Sequence, residues 1–239
     1  APLSLLCAHS RERERQRALV FARARSLSLT LALSLAMVIL GGNMMFVAGF
    51  TGAFSEATDA QENWEYQIAA FPSGLENITA WAEENTTAFE LTLVAQASIT
   101  GTTKTIDLKG NDVLSEQNDA LHRLNLLDGN LPQVGQSPVE GILDEGSAAL
   151  EGYSVGDTIS IEFEGEEHSI KIVGIARELS RSIYMHRADA EPIVGLEANG
   201  ALLITKDGVD IEDIRFSTVS IVEKETMVAT FEELIEQQK

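Results

Sequence analysis

The sequence predicts an α+β protein in which one N-terminal transmembrane helix is followed by a mixed α/β extracytoplasmic domain with β-hairpins. Three observations predict it. Charge is partitioned along the chain: residues 1–25 hold six arginines (Arg11, Arg13, Arg15, Arg17, Arg23 and Arg25) against Glu12 and Glu14, residues 26–54 hold no charge, and the remaining 185 residues carry −24 within a total of −20. The neutral stretch is long enough to cross a bilayer. Beyond it, apolar residues alternate at period two in short runs separated by Gly, Pro, Asn and Asp, the pattern of strands and turns. With 44% of its 239 residues hydrophobic and 23% charged, the chain has the material for a core, which excludes disorder over its whole length. The acid excess excludes duplex nucleic acid as a partner, because phosphates need a basic surface.

The span is placed at residues 26–54, Ser26 to Phe54. As a helix this stretch would reach about 43 Å against a hydrocarbon core of roughly 30 Å, so it can cross with tilt. A cleaved secretory signal has an apolar core of only about 7–15 residues, so an uncleaved anchor in lipid is expected instead. The arginines directly before it make 1–25 a basic cytoplasmic segment and leave the acidic bulk outside the cell membrane. Gly41, Gly42 and Gly49 are candidate helix-packing positions, and Asn43 is a candidate interhelical hydrogen-bonder. The only cysteine, Cys7, lies before the span, so the outer domain is expected to contain no disulfide. Two outer sequons, Asn77-Ile78-Thr79 and Asn85-Thr86-Thr87, make Asn77 and Asn85 possible glycosylation sites.

Residues 55–225 are expected to form the outer domain. Glu65–Phe71 reads as a strand stopped by Pro72-Ser73-Gly74, after which Leu75, Ile78 and Ala82 recur at helical spacing. Phe89–Ile99 is a long strand with its odd-numbered residues on one face, and Gly101 turns it into a second strand, Thr103–Leu108. Leu114–Leu127 reads as an amphipathic helix closed by Asp128-Gly129. Val139–Leu143 is a short strand and Glu145–Leu150 one or two helical turns. Thr158–Phe163 and His168–Ile175 form a hairpin around Glu164-Gly165-Glu166-Glu167. Arg177–Tyr184 is then a polar connection, Ala188–Leu196 a short helix, and Ala201–Thr205 and Ile214–Val222 strands. Residues 226–239 are expected to begin a helix returning to the membrane.

The residues point away from catalysis and from any resident cofactor or metal. His9, His122, His168 and His186 form neither an HxxxH nor an HExxH pair, and His168 is expected to face solvent. The acids Glu162, Glu164, Glu166 and Glu167 lack the spacing of a calcium loop. Ser147 lacks the second glycine of a nucleophile elbow and is better explained by helix capping. No GxxxxGK[ST] phosphate loop occurs, so the chain cannot itself be a P-loop ATPase.

A series of short motifs is more specific than any of these. Leu126-Leu127-Asp128-Gly129-Asn130-Leu131-Pro132, Val139-Glu140-Gly141-Ile142-Leu143-Asp144, Ala148-Ala149-Leu150, Val155-Gly156-Asp157-Thr158-Ile159 and Ile170-Lys171-Ile172-Val173-Gly174-Ile175 follow one another. Their order and spacing resemble the extracytoplasmic domain of MacB/FtsX-type ABC transporter permeases. Asn130 stands where that family commonly has Arg, and Gly141 interrupts the family's Val/Ile run. The family continues into three more spans, so this chain is expected to be part of a longer one. The resemblance implies a non-catalytic membrane subunit. A separate cytoplasmic ABC ATPase and a second permease copy or paralogue are its implied partners, with the outer domain relaying motion to export or to a periplasmic partner. A single-pass anchored binding or adhesion domain is the alternative. A membrane-anchored sortase-like enzyme is disfavoured because Cys7 lies on the wrong side.

Overall fold

The computed structural model describes residue 58 and residues 60–117, 120–178 and 180–236. The predicted span at 26–54, with Gly41, Gly42, Asn43 and Gly49, and the basic segment 1–25 lie outside the described residues. Among the described residues, no helix is long and apolar enough to cross a membrane.

Ten strands form one mixed sheet: β1 (Tyr66–Ala69), β2 (Thr86–Ile99), β3 (Thr105–Asn111), β4 (Leu126–Gly129), β5 (Val139–Asp144), β6 (Thr158–Phe163), β7 (Glu166–Ala176), β8 (Ser182–His186), β9 (Gly200–Thr205) and β10 (Ser220–Glu223). Among the described residues, four longer α-helices accompany them: α1 (Pro72–Asn85), α2 (Glu145–Glu151) and α3 (Arg187–Val194) between strands, and α4 (Lys224–Glu236) after the last. The strand order is β10-β1-β9-β2-β3-β8-β5-β7-β4, and β6 pairs with both β2 and β7. Because β6 links the two, β2, β3, β8, β5, β7 and β6 close into a six-stranded barrel. The strands β9, β1 and β10 continue outward from β2 as an open wing.

One face of β2 serves both halves. Its odd-numbered residues Phe89 and Leu91 meet α1 in the wing, whereas Leu93, Ala97 and Ile99 enter the barrel core beside Ile106, Leu143, Ile159, Ile161, Ile170 and Ile183. Complete burial of an aliphatic side chain of this size contributes about 1.5–3 kcal/mol, so the barrel interior is the main source of stability. Where β2 loses β9 as a neighbour and has not yet gained β6, the Asn199 amide takes the place of a strand. It accepts from Val94 N at 2.9 Å and donates to Val94 O at 2.7 Å.

Local chemistry explains most of the element ends. Pro72 opens α1 with its dihedral already helical, and Leu75, Ile78 and Ala82 form its buried stripe. In α2 the Asp144 carboxylate accepts from Ser147 N at 2.7 Å, and Gly152 closes the helix at φ 77°. The β6–β7 hairpin turns through two residues, Glu164 at φ 51° and Gly165 at φ 88°, the combination that matches strand twist. Gly141 faces the barrel interior: a Cβ there would lie 2.8 Å from Ile183 Cγ2 and 2.9 Å from Ile170 Cγ2.

Four expectations need correction. No described residue of Leu114–Leu127 is helical; the stretch is an irregular loop running into β4. Its apolar residues do recur at helical spacing, but they go to different places, Leu114 and Leu124 against Tyr184 and Leu121 against Trp64 and Leu202. The expected connection Arg177–Tyr184 contains the start of β8, whose residues Ser182–Met185 are all buried. Covered on both faces, β8 has no alternation to read. His168 has the same parity as Ile170 and pairs with Ile161, so it points inward and is half buried instead of facing solvent. The expected strand Ile214–Val222 begins inside a 3-10 helix, Ile211–Ser217, and only its end falls in a strand, Ser220–Glu223.

Candidate functional site

On the outer wall of the barrel, opposite the core, register places Lys109 of β3 beside Tyr184 of β8. Lys109 Nζ donates to Tyr184 Oη and Ser180 Oγ, each at 2.9 Å. Tyr184 in turn lies at 3.1 Å from Glu178 Oε2, and its ring stacks on His122 with centroids 5.0 Å apart and planes 5° from parallel. His122 Nδ1 is 3.0 Å from Glu62 Oε1, and Nε2 is 3.6 Å from Glu178 Oε2. The Trp64 indole N–H donates to the other oxygen of Glu62.

Three segments outside the sheet's named strands bring these groups together. Residues 60–65, which lead into β1, cross the loop between β3 and β4: Asn63 N donates to Leu121 O at 2.8 Å and Arg123 N to Gln61 O at 2.7 Å. Gln61 Nε2 donates to Arg177 O at 2.6 Å, tying in the β7–β8 connection that carries Glu178. Underneath, Glu90 of β2 is buried and accepts from Val113 N at 2.9 Å. A cavity of about 220 Å³ adjoins the cluster, lined by Trp64, Thr92, Lys109, Asn111, His122 and Met227 among others.

The charges within the cluster balance, with His122 and Lys109 against Glu62 and Glu178. The His122 and Glu178 side chains are only 8% and 4% exposed, so each needs its partner. Burial acts against the charged imidazole, and the nearby carboxylates, Glu178 in ion-pair contact at Nε2 and Glu62 hydrogen-bonded at Nδ1, outweigh it, raising His122 to about 9. Burial tends to raise Glu62 as well, but His122, Trp64 and Lys109 reverse this and hold it below the ordinary carboxylate range. Burial, with Glu178 and Glu62 nearby, keeps the Tyr184 hydroxyl well above its usual range. Burial also raises Glu90. Each nitrogen of His122 faces a carboxylate, Nδ1 at hydrogen-bond distance and Nε2 at ion-pair distance. The arrangement ties residues 60–65 and the β7–β8 connection to the barrel wall.

A larger concavity of about 860 Å³ lies between the 3-10 helix, β10 and α4, lined by Tyr66, Ile211, Ile221 and Met227 among others. It contains no comparable charge cluster, and its one arginine, Arg215, is paired with Glu212. Among the described residues no group of three His, Cys, Asp or Glu side chains is placed to hold a metal ion.

The possible glycosylation sites both fall on α1. Asn77 is exposed in mid-helix, and Asn85 is half buried at the last position, where its Nδ2 donates to Trp81 O at 2.8 Å. Gly41, Gly42, Asn43 and Gly49 lie outside the described residues. Sequence reasoning missed the His122 cluster because its members are far apart in the chain and share no motif. A usable signal was Lys109, a basic residue set between the inward-facing Leu108 and Gly110 in a strongly acidic domain.

No protein-family profile matches the sequence, and no curated protein matches it. Solved structures do resemble the fold. The periplasmic region of MacB from Actinobacillus actinomycetemcomitans is 14% identical with a TM-score of 0.47, over 73% of this chain and 95% of that one. The extracellular domain of the noncanonic ABC-type transporter YknZ from Gram-positive bacteria is 14% identical with a TM-score of 0.43, over 64% and 87%. The chain is similar to a MacB-like periplasmic core domain.

Proposed function

We propose that the chain is the permease subunit of an ABC transporter, anchored in the cell membrane by residues 26–54, with its N-terminus cytoplasmic and the barrel and wing outside. A separate cytoplasmic ATPase supplies the energy, and the outer domain relays the motion to export or to a periplasmic partner. The chain itself catalyses nothing in this reading. Helix α4 leads back toward the membrane, and a second permease copy or paralogue completes the pair. The observation that carries the proposal is the sequence series resembling MacB/FtsX-type permeases, whose pieces form one continuous unit here. Strand β5 lies parallel to β7, β6 is the hairpin partner of β7, β4 pairs with its end, and α2 follows β5 directly.

The test uses the chain in its native membrane. In a Cys7→Ser background, Asp207→Cys at an exposed turn is expected to react with a membrane-impermeant maleimide in intact cells. The chain is also expected to co-purify with an ABC ATPase, and Gly42→Leu is expected to abolish coupling by blocking close helix approach. Labelling only after lysis would overturn the topology. External labelling with no ATPase bound would instead favour the single-pass anchored binding or adhesion domain.

A further inference from the structure

The chain leading into β1 belongs to no strand or helix of the barrel it covers, yet it is tied to that barrel by hydrogen bonds from Asn63, Arg123 and Gln61 and by the Glu62–His122 pair. Lys224, the first residue of α4, joins the same point by donating from Nζ to Glu62 O at 3.1 Å. The segments that enter and leave the sheet therefore meet where the buried charges are.

We propose that His122 is a charged clasp: as the imidazolium it links Glu62 of the lead-in chain to Glu178 of the β7–β8 connection, and loss of its proton to solvent releases the lead-in chain from the barrel wall. A neutral imidazole holds neither carboxylate by charge: the Nε2–Glu178 contact, at 3.6 Å an ion pair and not a hydrogen bond, is lost, and Glu62 keeps at most the single bond to Nδ1. Losing the adjacent positive charge is costly for Glu178, which is buried, accepts from Tyr184 Oη and meets Lys109 through that hydroxyl. The groups facing His122 are Glu62 from the lead-in chain, Glu178 from the β7–β8 connection, Tyr184 from β8 with Lys109 of β3 behind it, and Glu90 from β2.

The direction of the pH effect follows from the raised value of about 9 against the ordinary 6.5. A group raised in the folded state gives its stabilisation in full below the unfolded value and loses it as pH rises through the folded one. The clasp is therefore closed at neutral pH and opens on the alkaline side. As the point where movement of the span would reach the barrel, it rests on the permease reading; as a clasp it rests on the geometry alone.

The test is amide hydrogen exchange of the full chain in lipid nanodiscs, expressed as protection relative to an unstructured peptide at the same pH. Between pH 7 and pH 10, protection at Asn63 and Arg123 is expected to fall at least tenfold while the Ile170 and Ile159 amides of the barrel hold theirs. Glu178→Gln, which keeps the shape and removes one charge, is expected to move the opening midpoint down by about one pH unit. His122→Gln is expected to show low protection at Asn63 and Arg123 at both pH values, with the barrel intact. Unchanged protection at Asn63 and Arg123 across the range in the wild type would overturn the clasp. So would an unmoved midpoint in Glu178→Gln, a readout that survives if His122→Gln fails to fold. Failure to bind an ATPase would remove the permease reading and leave this result untouched.

Discussion

The β6–β7 hairpin and the cluster around His122 are built by opposite means. In the hairpin, neighbours in sequence are neighbours in space: Ile159 faces Ile170, Ile161 faces His168, and a two-residue turn sets the register. Its inner face is apolar apart from the half-buried His168, and its tip carries exposed acids. The cluster joins Glu62, Lys109, His122, Glu178 and Tyr184 from five separate places, with charges that are stable only as a set. The hairpin is held by area removed from water, which changes little with pH, whereas the cluster is held by a proton.

Substitutions should separate the two. Ile161→Ala, at a fully buried barrel position, is expected to lower stability by about 2–4 kcal/mol through lost transfer energy and a cavity. Urea unfolding followed by Trp64 and Trp81 fluorescence would measure it, and a loss under about 1 kcal/mol would contradict the packed interior. Gly141→Ala tests the same interior from the opposite direction, since its methyl would press on Ile183 and Ile170. A loss of about 1–3 kcal/mol is expected from overpacking. On the cluster side, the wild type should become easier to unfold in urea as pH rises from 7 through about 9, and His122→Gln should lose that part of the dependence. A variant with the same profile as the wild type would show that another group titrates there. Glu164→Ala, at the exposed turn, should change stability by no more than about 0.5 kcal/mol. A larger loss would mean the turn residue does more than reverse the chain.

The same contrast explains what was legible. The alternation of Phe89–Ile99 gave the correct inner face of β2, and the spacing of Leu75, Ile78 and Ala82 gave the buried stripe of α1. These elements each bury one face, so their pattern survives in the chain. Ser182–Met185 was missed because the barrel core lies on one side of β8 and the Tyr184 cluster on the other. Leu114–Leu127 was misread because helical spacing of leucines records only that they are buried, not that they share one surface. His122 sat inside that misread segment. Its partners, Glu62 and Glu178, are sixty and fifty-six positions away, and no local pattern reports a contact over such distances.

Strand β1 lies between β9 and β10, pairing Ile68 with Ala201 on one side and with Ile221 on the other. The first strand of the domain therefore waits for the last two before it is paired on both edges. Such distant pairing slows folding, because the loop must close before any ladder bond repays its lost freedom. During synthesis, Tyr66–Ala69 has no neighbour until β9 has emerged and keeps one open edge until Glu223 is out, while the β6–β7 hairpin can form as soon as Ala176 is out. Assembly would then proceed from the middle of the chain outward, leaving the wing as the stage at which a nascent molecule is most open to pairing with another copy.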